Sequence, residues 1–195
     1  MKVELMDSTV DPLYIVSKCA RTSHRTEDKD KPETRENFVK NLAKLDHTPL
    51  EFAWTIWDIK GISRACADQL RTYRIASHCM QSQRYVDISE NEFVYPFKAL
   101  RASEGCVDYV NKAKRFYKDL VNAGVPREDA RYFMPMGMSC NIKVGINMRN
   151  LIHFFKQRLA KEAQWEIKEV AQEMYDICRE KWPWYTEVID EIINA

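Results

Sequence analysis

Apolar and polar residues recur along the chain with two different periods, and the switches between them mark out its elements. Leu13, Ile15, Val16 and Cys19 fall on one side of a helix from about Asp11 to Ala20, behind a short first strand over Met1 to Met6. Ser23 to Pro32 is charged and holds breakers, so it reads as a loop. Phe38, Leu42 and Leu45 then repeat at helical spacing across Glu33 to Leu45. Glu51 to Ile59 is dense in aromatic and β-branched residues and predicts a strand with Phe52, Trp54 and Ile56 sharing one face. Gly61 is expected to open a helix from Ile62 to about Arg71, whereas Arg74 to Asp87 is polar with little turn chemistry. Val110, Ala113, Phe116, Leu120 and Val121 place a long amphipathic helix in Gly105 to Gly124, stopped by Gly124 and Pro126. Ile142, Val144, Ile146 and Met148 alternate as in a half-buried strand. Helices over Arg149 to Leu159 and Glu162 to Lys181 follow, and Pro183 sets off a short last helix. With no internal repeat, linker or low-complexity tract, the pattern predicts one mixed α+β domain over residues 1–195.

Composition narrows the class. A chain of 195 residues can bury a sizeable core, and 5 Gly and 7 Pro argue against a disordered or collagen-like chain. A formal net charge of +1 gives no global drive toward nucleic acid or an anionic membrane, so neither is an expected partner and anion binding must come from local clusters. The six cysteines form no C-x-x-C pair, Lys2, Glu4 and Asp7 interrupt any leader, and no apolar run approaches a bilayer span. Reduced cysteines and a cytoplasmic location are expected. Four His and six Cys lie scattered without ligand spacing, so no metal site is expected.

Two stretches carry candidate chemistry. Between Gln69 and Tyr85, Arg71, Arg74 and Arg84 sit among Ser77, Gln81, Ser82 and Gln83. Guanidinium forks with hydroxyl and amide donors are what phosphate oxygens need, although a solvated charged loop has the same composition. In the second stretch, at about 100° per residue, Leu151, Ile152, Phe155 and Leu159 form an apolar arc. Arg149, His153, Lys156 and Gln157 lie on the opposite side, and Arg158 falls at the edge of the apolar face beside Leu151 and Phe154. A charge there needs an internal partner, a route to solvent or a ligand. His153 has no neighbour at metal or triad spacing. Pro126 to Arg131 reads as a helix start with acids in its first turn.

Taken in order, these pieces resemble the flavin-dependent thymidylate synthase family. Cys19-Ala-Arg-Thr-Ser23, His47-Thr-Pro-Leu-Glu51, Val125-Pro-Arg-Glu-Asp-Ala-Arg131, Asn147-x-Arg149 and Ala163-Gln-Trp-Glu-Ile167 are similar to successive family segments. The family signature R-H-R-x-x-S-x-N-x-x-S-x-R is met by Arg74, Ser77, Ser82 and Arg84. Thr72 and Tyr73 replace its leading Arg-His, Cys79 replaces its Asn, and Met80 stands where many members carry an acid or amide.

The resemblance implies an antiparallel-rich sheet packed with helices and a homotetramer with FAD at subunit interfaces. NADPH would reduce the flavin, methylenetetrahydrofolate would supply the carbon, and dUMP would become dTMP. It implies that Gln69, Arg71, Gln81, Ser82, Gln83, Arg84 and Arg131 hold dUMP, with Arg158 against the uracil as the catalytic group. Ser23, Thr48, Tyr73, Arg74, Ile75, Asn147, Arg149 and His153 would contact FAD. The replaced signature residues leave open another pyrimidine nucleotide such as UMP, a hydroxymethyl product, or a flavin-free nucleotide-binding relative. Cys79 as a thiolate beside Arg74 and Arg84 is a further alternative to a scheme without a protein nucleophile.

Overall fold

The computed structural model describes residues 1–194. In chain order the elements are β1 (Lys2–Ser8), α1 (Pro12–Thr22), α2 (Pro32–Lys44), β2 (Trp54–Ser63), α3 (Arg64–Arg71), β3 (Ser77–Met80), α4 (Phe97–Ala102), α5 (Gly105–Asn122), α6 (Arg127–Ala130), β4 (Ser139–Asn147), α7 (Met148–Arg158), α8 (Trp165–Lys181) and α9 (Pro183–Asn194). The strands form one sheet in the order β1-β2-β4-β3. Arg64 N donates to Met138 O at one end of the β2–β4 pair and Met148 N to Ala53 O at the other, which makes that pair antiparallel. The fold is α+β, as its sequence pattern indicates.

Contacts gather the chain into two compact units, and the chain passes repeatedly from one to the other. The larger holds residues 3–58, 73–78 and everything from Lys143 onward. Val16, Val39, Leu50, Trp57, Phe155 and Tyr185 are buried in it. Several of its buried polar groups are satisfied internally: Tyr185 donates its hydroxyl to Met148 O at 2.6 Å, and the Trp57 indole donates to Thr55 Oγ1, which donates in turn to Ile146 O. α7, α8 and α9 pack on one another there.

The smaller unit holds residues 1–2, 59–72 and 79–142. Ser63 caps α3 by accepting from Cys66 N at 3.0 Å, and α3 buries Cys66, Ala67 and Leu70. Ile88, Tyr117 and Ala130 form a core with Leu120, Val121, Val125 and Met134. Phe93 bridges to Met138 and lays its ring over Gly137, where a Cβ would stand 2.2 Å from Phe93 Cζ. Gly137→Ala is therefore expected to cost about 2 kcal/mol, a typical overpacking penalty, read as a fall in the urea midpoint.

Several sequence expectations are corrected here. Gly61 does not open a helix: it takes φ +70° inside β2, and the strand runs on to Ser63. β2 starts at Trp54 rather than Glu51. Phe52, Trp54 and Ile56 are alike outward, as residues sharing one face would be, at 61%, 45% and 40% exposure, while Thr55, Trp57 and Ile59 face the core. Leu45 is exposed beyond the end of α2, and Val39 and Ala43 are that helix's buried residues. The polar stretch after Arg74 contains β3, paired with β4 through Gln81 N and Asn141 O at 2.9 Å. The short helix α4 was also missed by periodicity.

Candidate active site

The residues expected to touch a flavin all fall in the larger unit. Asn147 ends β4 and caps α7, its Oδ1 accepting from Asn150 N at 2.9 Å. Arg149, the second residue of the helix, meets Asp46 through two bonds of 2.9 Å and Glu51 through one of 2.5 Å. This pairing holds the Asp46 carboxyl below the usual carboxylate range and pushes the guanidinium further up. Beside the clasp lies a cavity of about 510 Å³ walled by Lys44, Asp46, Ile75, Arg149, His153 and Lys156 among others. Asn150 fixes its rim by donating Nδ2 to Ile75 O at 3.0 Å.

Tyr73 is 7% exposed and does not form an open stacking surface. Its hydroxyl lies 2.7 Å from Asn150 O and 2.8 Å from His153 Nδ1, and its ring meets Phe154 edge-on. Burial pushes its phenol well above the usual value, an effect the Arg158 charge partly offsets. Thr48, Arg74 and Ser23 are exposed and are not among the cavity walls; Ser23 donates its hydroxyl to Ala20 O at the end of α1.

Arg158 sits where the helical wheel puts it, at the end of α7. Its Nε is buried and has no hydrogen-bond partner among the described residues. Of the three fates open to that charge, an internal salt bridge is not the one observed among them. A buried, unpartnered guanidinium nitrogen costs free energy until something accepts from it.

The residues expected to hold a nucleotide fall in the smaller unit, apart from Arg158. Gln69 lies on α3, and its carbonyl accepts the Thr72 hydroxyl at 2.6 Å. Arg71 is exposed and 3.6 Å from Asp68. Gln81 is bound to β4, its Oε1 accepting from Asn141 N at 3.3 Å. Ser82 Oγ accepts from Arg84 N at 3.2 Å, and Gln83 is half-buried between them. Arg84 Nε donates to Glu128 Oε2 at 2.6 Å, and Arg131 Nε donates to Glu128 O at 3.0 Å. Arg84 and Arg131 are thus gathered at one residue, whose carboxylate takes the Arg84 Nε and whose backbone carbonyl takes the Arg131 Nε. Sequence reasoning missed Glu128; its signal was an acid flanked by Arg127 and Arg131 in the family-like segment from Val125 to Arg131, where only Arg131 is expected to bind. Cys79 is exposed on β3.

Residues 4–184 match the model of the family described as thymidylate synthase complementing protein. The chain is 37% identical to the flavin-dependent thymidylate synthase of Geobacter sulfurreducens, over 89% of this chain and 80% of that one. It is 35% identical to the enzyme of the same name from Pyrococcus furiosus, over 90% and 78%. The corresponding protein of Sulfolobus acidocaldarius is 33% identical, over 90% and 72%.

Proposed function

Because the chain belongs to the thymidylate synthase complementing protein family, we propose that it is a flavin-dependent thymidylate synthase converting dUMP to dTMP. The carbon comes from methylenetetrahydrofolate and the reducing power from NADPH through FAD. The observation that carries this reading is Arg158, a cation with a buried unpartnered Nε, in the same unit as a cavity edged by Ile75, Arg149 and His153.

The cavity suits such a cofactor. Its size is in the ordinary range for ligand pockets, and Lys156 lines it together with two cations already paired, Lys44 with Glu191 and Arg149 with Asp46 and Glu51. An anionic group would have to win those two from their carboxylates. Ile75, Arg149 and His153 would hold FAD directly, Asn147 and Tyr73 would position their neighbours, and Thr48, Arg74 and Ser23 would complete the grip from the surface. The bound flavin supplies the hydride that completes the methyl group. Gln69, Arg71, Gln81, Ser82, Gln83, Arg84 and Arg131 bind dUMP, with Arg84 exchanging Glu128 for the phosphate. Arg158 lies against the uracil, favours negative charge at N3, and so raises electron density toward C5. No protein nucleophile is needed, and Cys79 is a bystander.

The working protein is a cytoplasmic homotetramer with active sites shared between subunits, and the two units of each chain act as one domain. The outward Phe52, Trp54 and Ile56 support subunit contacts, since exposed apolar stripes on folded chains commonly meet another surface. Among the described residues no helix is long and apolar enough to cross a membrane.

An absorbance spectrum of the purified protein, before and after FAD, NADPH and dUMP, tests the reading. Flavin bands that bleach with NADPH, faster when dUMP is present, are expected, with dUMP turned over in preference to UMP. A protein that binds no flavin overturns it.

A further inference from the structure

We propose that Tyr73 is a positioning residue that locks His153 as an Nδ1–H tautomer, leaving its Nε2 as an acceptor for a hydroxyl or amino group rather than a phosphate oxygen. The argument starts from proton counting. Asn150 O can only accept, and the Tyr73 hydroxyl has one hydrogen to give, at 2.7 Å. If Tyr73 donates to Asn150, its oxygen is free to accept, and the 2.8 Å contact with His153 is a hydrogen bond only when Nδ1 carries the proton. The opposite tautomer leaves one of these two short contacts without a hydrogen between its atoms. Burial keeps the phenol protonated, so the donor to Asn150 is always present.

The far side of the ring agrees. Gln157 Nε2 lies 3.3 Å from His153 Nε2, and an amide N–H pairs only with a bare ring nitrogen, whose single lone pair a ligand donor would take over from Gln157. The tilted Tyr73 and His153 rings, with centroids 5.8 Å apart, and the edge-on Phe154 hold this geometry. Tyr73 stands where the signature has a histidine, and here that position braces a histidine on α7. The consequence for the ligand rests on the cofactor reading above; the tautomer does not.

The test uses the protein labelled with ¹⁵N in its four histidines, His24, His47, His78 and His153. The His153→Gln variant assigns the signal, and long-range proton–nitrogen correlations read the tautomer. The expected wild-type pattern is protonated Nδ1 and bare Nε2, shifting toward Nε2–H in Tyr73→Phe. A wild-type Nε2–H pattern overturns the proposal even if Tyr73→Phe fails to fold, and so does an unchanged pattern in a folded variant. Tyr73→Phe is also expected to weaken FAD binding about tenfold, through loss of one ordered contact. Undiminished FAD binding overturns the ligand consequence. A wild-type protein with the Nδ1–H pattern that takes up no flavin overturns the enzyme reading and leaves the tautomer standing.

Discussion

Replacing Arg158 with methionine is expected to lower dUMP turnover by roughly 10²- to 10³-fold, the range seen when one preorganised donor to a developing negative charge is removed. The same change should leave the melting temperature of the unliganded protein unchanged or higher. The two effects have one cause. Arg158 Nε is buried at the end of α7 with no acceptor among the described residues, so the free protein carries the desolvation cost without the bond. Methionine keeps much of the stem's volume and removes that cost. The lost donor is felt only when an anionic ring is present. Arg158→Lys should be nearly as slow as Arg158→Met, because an ammonium keeps the charge but not the planar fork. Steady-state kinetics beside thermal melts decide the matter. A melting temperature that drops while kcat/KM holds would make Arg158 a structural cation and remove the central support for its catalytic role.

The place of Arg158 was legible in the sequence because a helix is a local object. The spacing of Leu151, Ile152 and Phe155 fixes a face, and every other residue of α7 follows from 3.6 residues per turn. β4 was legible for a similar reason, through the alternation of Ile142, Val144 and Ile146. β2 shows the limit. Both of its faces are apolar, so period two names the faces without saying which is inward. The core took Trp57 and Ile59, together with a Thr55 whose hydroxyl has its own acceptor. β3 was illegible because Ser-His-Cys-Met has no pattern of its own and becomes a strand only by pairing with β4.

The site divides along the same line. The expectation that Arg149 and Arg84 serve binding was read from the sequence, yet both are clasped by carboxylates far away in sequence, Asp46 and Glu51 in one case and Glu128 in the other. Nothing in the local spacing of either arginine names its partner. Tyr73 was legible as a departure from the signature but not as a buried brace for His153, because that contact spans 80 positions.

Asp30 carries the largest stability prediction, and it lies in the charged stretch from Ser23 to Pro32 whose sequence has no periodicity. Its side chain is 1% exposed and is met by Arg35 at 2.8 Å, Lys18 at 3.6 Å and Arg21 at 3.8 Å, with the Ser17 hydroxyl donating at 2.6 Å. Arg21, from the family-like Ala20-Arg-Thr-Ser23 segment, also lies 4.4 Å over the Phe38 ring, so one carboxylate ties α1 to α2. Asp30→Ala leaves these cations unpaired beside a buried hydroxyl and should cost about 3 kcal/mol. For a chain of this size that is roughly a 6–12 °C fall in melting temperature. Hydrogen bonding from Arg35 holds the Asp30 carboxyl well below the usual range, more than offsetting the desolvation that opposes it. A depressed folded value means the stabilisation is complete above the unfolded value near pH 4 and is lost as pH falls toward the folded one. The gap in unfolding free energy between wild type and Asp30→Ala should therefore be flat from about pH 5 to 8 and close progressively in more acidic buffer. Urea titrations of both proteins across that range measure it. A gap under about 1 kcal/mol, the scale of an exposed ion pair, would show that solvent screens the cluster and that α1 and α2 are joined by packing alone.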